Sequence, residues 1–374
     1  EIFPDPYFHI GGDEVKPDQW QKNSSIHAFI KSNELVDYKG MQAHFNKRVN
    51  DILQKHNKKM VGWDEIFHSD LPKDIVIQSW RGHDSINYKV KNGRQSILST
   101  GYYVDQAQPT SYHYRNDPVP KQDVVNANAQ PGETWQTWSF KMPRLRGSAV
   151  KGSFTLFTHK NGNVRGFIDF DGRSRRKLND IQVIDDETRF WVYNWMGKMT
   201  PRVNLTSNKF ESEATVANGR YKITGSLVAA SELKGTSIPE GIILPTLTND
   251  EEQLVLGGEA TLWGENIIPE VLDLRLWPRT YAIAERLWSA KEVTDVESMY
   301  RRMSSVSYWA EKVVGLNHEF QAEDGMKRLL GNENIKPWQV LAEAIEQAQY
   351  YHRHHAKGQI GEYHQQAPLD RFVD

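Results

Sequence analysis

Apolar and polar positions follow two different rhythms along this chain. From residue 1 to about 131, short apolar runs alternate with stretches of helical spacing. "FHIGGDEV" (8–15) is the first run. Met41, Phe45, Val49, Ile52 and Leu53 then recur at helical spacing, which predicts a helix with these residues on its buried face. "KMVGWDEIF" (59–67), "DIVIQSW" (74–80) and "QSILSTGYYVDQ" (95–106) read as buried strands. Strands separated by helices or short crossovers predict a parallel sheet with helices outside it. From about 132 to 245 the runs shorten and alternate between turn signals, as in "GSFTLFTH", "VRGFIDFDG", "TRFWVYNW" and "GRYKITGSLV". This pattern predicts an inserted all-β domain, a sandwich or a small barrel. The first rhythm returns with "QLVLGGEATLWGENI" (253–267). "WPRTYAIAERLW" (277–288) reads as a helix with Pro278 near its first turn. A capping box, Thr294 to Glu297, opens the next helix, whose apolar face is Met299, Met303, Val306, Ala310 and Val313 and whose end is Gly315. A last helix starts near Pro337 and carries Trp338, Leu341, Ile345 and Ala348. The expected organisation is one α/β body, 1–131 and 246–374, interrupted by a β domain at 132–245.

Composition narrows the chemistry. A net charge of −2 over 374 residues gives no electrostatic case for a nucleic-acid surface, and the longest basic run, "GRSRRK" (172–177), reads as a solvated loop. The absence of cysteine excludes disulfides, thiol nucleophiles and cysteine-bound zinc. No apolar stretch is long enough to span a membrane as a helix. "YYHRHH" (350–355) falls at a helix C-terminus, where His and Arg suit the dipole, so it reads as no metal site. Neither a metal nor an organic cofactor is expected. The 12 Trp, 15 Tyr and 14 Phe offer flat, weakly polar faces suited to sugar rings, although many must belong to cores.

The chemistry-bearing residues gather where the apolar runs stop. The first run ends in Asp13 and Glu14, the second in Trp63, Asp64 and Glu65, and the third in Trp80. The fourth ends in Tyr103 and Asp105, and the last in Trp263 and Glu265. In a (β/α)8 barrel, functional residues collect at the C-terminal ends of the strands. Any single Trp could equally cap the barrel core; five strand ends carrying carboxylates or large aromatics argue for one pocket.

These residues, in this order, resemble the β-N-acetylhexosaminidases, a family of glycoside hydrolases built on a (β/α)8 barrel. The resemblance rests on "HIGGDEV", "GWDEIF", "QSW", "YYVDQ" and "GGEATLWGE", and covers about 1–118 and 250–290. It implies an α/β fold: an incomplete (β/α)8 TIM-type barrel, strands 4–8, with the all-β domain inserted. It also implies an exo-acting, retaining enzyme that releases terminal β-linked N-acetylhexosamine from oligosaccharides or glycans, chitin-type chains among them. Adjacent carboxyl groups cannot easily flank a glycosidic bond as the usual two-carboxylate mechanism requires, and the family is an exception to that rule. Its nucleophile is the substrate's own acetamido oxygen, giving an oxazolinium-type intermediate. By resemblance, Glu14 is the general acid and then base, and its protonated form is favoured by the neighbouring negative charge of Asp13. Asp13 holds the acetamido N–H. Tyr103 orients the acetamido oxygen, and Trp63, Trp80 and Trp263 wall the group in. Asp105 and Glu265 accept hydrogen bonds from outer sugar hydroxyls. His9 reads as a hydrogen-bonded core residue, and Asp64 and Glu65 as supporting or surface residues. Gly11 and Gly12 fit either a backbone passing beneath the sugar or a tight strand-end turn.

The chain departs from the family in one respect. The family's "GGDE" pair ends its fourth strand, whereas here it ends the first run. The expectation is a C-terminal part of a longer enzyme, with little or no activity alone, whose remaining barrel strands lie in another chain, are cleaved or are lost. A truncated or non-catalytic carbohydrate-binding homologue is the alternative. Trp135 and Trp138 of the insertion are candidates for stacking on leaving-side sugars if it borders the cleft, and a buried β-domain or linker role is at least as well supported. A periplasmic or secreted bacterial location is expected.

Overall fold

The structure, a computed structural model, describes residues 2–105, 108–144, 148–194, 197–216, 219–264, 267–331 and 334–344. Two compact units make up the chain: residues 1–102, 118–120 and 246–259, and residues 103–117, 121–245 and 260–374.

The first unit is built on a parallel sheet of β1 (Tyr7–His9), β2 (Lys59–Trp63), β3 (Val76–Ser79), β4 (Ser96–Leu98) and β14 (Val255–Gly258), in that spatial order. Registers such as Phe8↔Met60, Val61↔Val76 and Ile77↔Ser96 fix the ladder. β3 is buried along its whole length, as expected of a parallel strand covered on both faces. Helices α1 (Ser24–Ser32) and α2 (Tyr38–Lys55) lie between β1 and β2 in the chain, and α3 (His83–Lys91) between β3 and β4. Strand–helix alternation around a parallel ladder is the parallel sheet that the strand runs predict and the partial TIM-type barrel that the resemblance implies. β1 pairs with β2, stands at the sheet's edge, and has all three of its residues exposed.

Asp37 caps α2 by accepting from the Gly40 N–H at 2.9 Å. The helix buries Gly40, Ala43, Asn46, Asn50 and Leu53. Phe45 and Ile52, expected on the buried face, are 60% and 55% exposed. Two residues along a helix is about 200° around it, so the stripe holding Phe45 turns away when Ala43 faces the sheet. The short helix α5 (Asn249–Glu252) carries a capping box, Thr248 with Glu251, and Glu251 also accepts from Lys91 Nζ at 2.7 Å.

In the second unit, nine antiparallel strands form one sheet: β5 (Glu133–Met142), β6 (Val150–His159), β7 (Val164–Phe170), β8 (Arg176–Lys177), β9 (Asn179–Ile184), β10 (Glu187–Asn194), β11 (Gly197–Asn204), β12 (Lys209–Val216) and β13 (Gly219–Ala230). Their order is β8-β7-β6-β5-β13-β12-β11-β10-β9. The strands at its two ends, β8 and β9, are joined by Leu178 alone. A chain advances under 4 Å per residue, so the sheet's ends must meet and the sheet is rolled like a barrel. Phe140, Phe154, Phe190, Phe210 and Trp138 fill its interior. Trp138 is 1% exposed and cannot be a sugar platform. "GRSRRK" is not a wholly solvated loop either: Arg175 is buried, clamps Asp169 through two bonds of 2.8 and 2.7 Å, and lies over the Phe167 ring at 3.7 Å.

This unit also holds α4 (Thr110–Arg115), α6 (Leu272–Leu276), α7 (Arg279–Trp288), α8 (Val296–Trp309), α9 (His318–Leu330) and α10 (Lys336–Ala344). Asp295, not Thr294, caps α8, because its carboxylate reaches the Ser298 N–H at 3.1 Å. Met299 and Ala310 are buried as expected, whereas Val306 and Val313 are exposed. Ser307 is buried instead, since His318 and Glu319 satisfy its hydroxyl at 2.5 and 2.9 Å. Gly315 ends the segment in the left-handed conformation expected of it. Ile345, Ala348 and "YYHRHH" lie outside the described residues.

Candidate active site

Beyond β1 the chain leaves ordinary backbone space. Gly11, Gly12 and Glu14 have φ of 72°, 92° and 50°. A side chain at Gly12 would also place its Cβ 2.3 Å from Ile66 Cγ2, so glycine is required there by both torsion and space. The turn is tied down from outside: Gln42 Nε2 donates to the Gly12 carbonyl at 2.7 Å and the Trp63 N–H donates to the Gly11 carbonyl at 3.0 Å. Asp13 and Glu14 stand exposed on this turn.

The end of β2 supplies two acids with opposite settings. Asp64 is buried and accepts from the backbone N–H groups of Trp80 and Arg81 at 2.7 and 3.0 Å, from the Ser79 and Ser85 hydroxyls, and from Lys89. It fixes the end of β3, where Trp80 begins. Glu65 is part-buried and accepts from the Trp80 indole N–H at 3.1 Å, from Arg81 Nη2 at 2.9 Å and from the Glu14 N–H at 3.4 Å. Arg81 also lies over the Trp80 ring at 5.3 Å. Two strand ends, the acid turn and the Trp80 ring, therefore share one carboxylate.

A second network crosses the sheet beneath the turn. His9 Nδ1 accepts the Gly11 N–H at 3.0 Å, which leaves Nε2 as the protonated nitrogen of the neutral ring. The His9 side chain hydrogen-bonds Gln78, and Gln78 Nε2 donates to Glu259 at 2.9 Å and to Ser99 at 2.7 Å. Trp63 packs edge-on against His9 at 5.2 Å. Desolvation of the inward side of His9 pushes its pKa down, opposed by Glu259, the Gln78 hydrogen bond and Asp13, although the residue keeps an open rim.

Thus Asp13, Glu14, Trp63 and Trp80 lie at the ends of three neighbouring strands of the first unit. Tyr103, Asp105 and Trp263 belong to the second. There Tyr103 bridges Thr261, and its ring meets Trp263 edge-on at 6.1 Å. Tyr103 is part-exposed, and Tyr102 and Asp105 are buried. Glu265 lies outside the described residues. Glu65, which the sequence offers as a supporting or a surface residue, has a supporting place, whereas the sequence assigns no role to Gln78 and Glu259. Gln78 was within reach of it, because positions two apart on a strand share a face and Trp80 was already singled out.

The sequence model of glycosyl hydrolase family 20, catalytic domain, matches residues 1–153 and 205–291. The chain belongs to glycosyl hydrolase family 20. Among its relatives, a β-hexosaminidase of Porphyromonas gingivalis is 36% identical over 122 residues, 32% of this chain and 15% of that protein. The β-hexosaminidase subunit beta of Mus musculus is 23% identical over 310 residues, 81% of this chain and 35% of that protein. The crystal structure of a Flavobacterium johnsoniae chitobiase superposes on all of this chain with a TM-score of 0.59 at 26% identity, using 39% of its own length. The chain thus spans well under half the length of each of these relatives.

Proposed function

We propose that the protein to which this chain belongs is an exo-acting β-N-acetylhexosaminidase that works with retention by substrate assistance. Family 20 membership supports the hydrolase activity, and the Porphyromonas, Mus and Flavobacterium relatives support the sugar. One observation carries the assignment of roles: Asp13 and Glu14 stand on a left-handed turn that is tied through Glu65 to Trp80. In the first step the acetamido oxygen attacks the anomeric carbon, the glycosidic C–O bond breaks, and Glu14 gives its proton to the leaving oxygen. Asp13 takes the acetamido N–H and balances the positive charge of the oxazolinium ring. In the second step water attacks the same carbon, the ring opens, and Glu14 recovers a proton from that water. Trp63, Trp80 and Trp263 shield the acetamido group, Tyr103 sets its angle, and Asp105 and Glu265 hold outer hydroxyls.

The substrates are chitin-type oligosaccharides or glycans ending in N-acetylhexosamine, met in the periplasm or outside the cell. The exposed edge of β1 is the place where further barrel strands, from this protein or another chain, would pair. The test compares an aryl N-acetylglucosaminide with the matching aryl glucoside on the full-length protein. The acetamido sugar is expected to turn over and the glucoside to stay inert, with inhibition by an oxazoline mimic. Equal rates on both would overturn the mechanism.

A further inference from the structure

We propose that Glu65 is a positioning residue for proton transfer, holding the turn that carries the acid in register with the wall of the acetamido pocket. The inference rests on the reading of Glu14 as the general acid.

The geometry is that of a clamp. Glu65 Oε1 accepts the backbone N–H of Glu14 and Arg81 Nη2, at 3.4 and 2.9 Å, while Oε2 accepts the Trp80 indole N–H at 3.1 Å. One oxygen faces the acid's own peptide, and the other faces the ring that shields the substrate's nucleophile. Glu14 needs such a hold. Its φ of 50° lies in the left-handed region, which non-glycine residues keep only when their surroundings enforce it. The other ties on the turn act earlier in it, at the Gly11 N–H and at the Gly11 and Gly12 carbonyls. Among the described residues, the bond from Glu65 is the one made to Glu14 itself. Its neighbour Asp64 takes no part in this clamp, because its oxygens are occupied by Lys89, Ser79, Ser85 and the backbone of β3's end.

A carboxylate is needed because both donors require acceptors. In Glu65→Gln one of the two atoms becomes an NH2 group, which cannot accept from either an indole or a peptide N–H. Whichever way the amide turns, one tie is lost. Either loss lets the turn and the ring move relative to each other while the fold is retained.

The test uses the full-length protein and a series of aryl N-acetylglucosaminides whose phenol leaving groups range from strongly to weakly acidic. A poor leaving group needs the proton, and a good one does not. Glu65→Gln is expected to lower kcat/KM for the poorest leaving group by roughly 10- to 100-fold and for the best by under about threefold. The slope of log(kcat/KM) against leaving-group pKa thereby steepens. Loss of folded protein would lower every substrate by the same factor, so a parallel drop, or no drop, overturns the proposal. Glu14→Gln separates it from its premise. If Glu14→Gln steepens the slope and Glu65→Gln does not, the positioning role fails alone. If Glu14→Gln leaves the slope unchanged, the assignment of the acid fails first.

Discussion

Asp64 and Lys89 form an ion pair in which neither side chain reaches solvent, the two being 1% and 5% exposed. Burial pushes the Lys89 pKa down, and the Asp64 charge opposes that shift. Asp64→Ala takes the charge partner from the Lys89 ammonium and the carboxylate acceptor from the Trp80 N–H. It is expected to cost about 3–5 kcal/mol, the usual penalty for breaking a buried pair from one side. Lys89→Met should cost less, because Asp64 keeps its hydroxyl and backbone donors. Urea unfolding of both variants measures the difference, and a larger loss in Lys89→Met would contradict this account.

Gly12→Ala should impair turnover far more than stability. The new Cβ meets Ile66 in a backbone conformation that alanine disfavours, so the turn must shift and carry Asp13 and Glu14 with it. A displacement of about 1 Å at a catalytic group costs on the order of 100-fold in rate. Adding Ile66→Ala removes the Cγ2 that the new Cβ meets and none of the torsional strain, so only partial recovery of turnover is expected. Full recovery in the double variant would mean that space alone demands glycine.

His9 should make the protein less stable as the pH falls. Its pKa is lowered on folding, so between the folded value and the ordinary value of about 6.5 the unfolded chain binds more protons. Stability is then complete above about pH 6.5 and declines as the pH drops towards the folded value. Protonation also turns Nδ1 from an acceptor into a donor facing the Gly11 N–H. His9→Asn keeps an acceptor near that position and removes the titration. Its unfolding free energy is expected to vary less between pH 7.5 and 5 than that of the wild type. His318, also lowered by burial, supplies a separate share of the slope that remains in the variant. An unchanged slope in His9→Asn would remove His9 from the explanation.

Glu133 should act at lower pH. Hydrogen bonding from Arg165 holds its carboxyl at a pKa of about 2. That stabilisation is present above the ordinary carboxylate range and is lost as the pH falls from about 4.5 towards 2. Arg165 also binds the carbonyls of Asn126 and Asn128 at 2.5 and 2.7 Å and covers the Phe157 ring at 3.9 Å. Glu133→Gln is therefore expected to melt lower than the wild type at pH 7, with the gap closing in acid. A gap independent of pH would point to packing instead of charge.

The buried strands were legible because parallel strands covered on both faces leave uninterrupted apolar runs. β2 and β3 fall inside 59–67 and 74–80, and β5 begins two residues past Pro131, where the rhythm changes. The helix faces were less legible. α2 buries Leu53 as its spacing predicts, but the rest of its inward face is Gly40, Ala43, Asn46 and Asn50, which lack strong hydropathy. In α8 a hydrogen-bonded Ser307 takes an inward position that a hydropathy pattern gives to Val306. In the candidate site, the strand-end position of Asp13, Glu14, Trp63 and Trp80 was readable from where the apolar runs stop. The partnerships of Glu65, Gln78 and His9 were not. A polar side chain is defined by what it meets, and Gln78 meets a carboxylate 181 positions further along the chain.

The nine-stranded sheet begins with β5 and finishes with β13, which are antiparallel neighbours, with Gln136 opposite Ala230 and the Ser231 N–H on the Trp135 carbonyl at 2.9 Å. The polypeptide therefore departs within one ladder spacing, about 4.8 Å, of where it arrived. The sheet therefore closes on its own root: the strand that opens it is also the hydrogen-bonded neighbour that holds the strand that ends it.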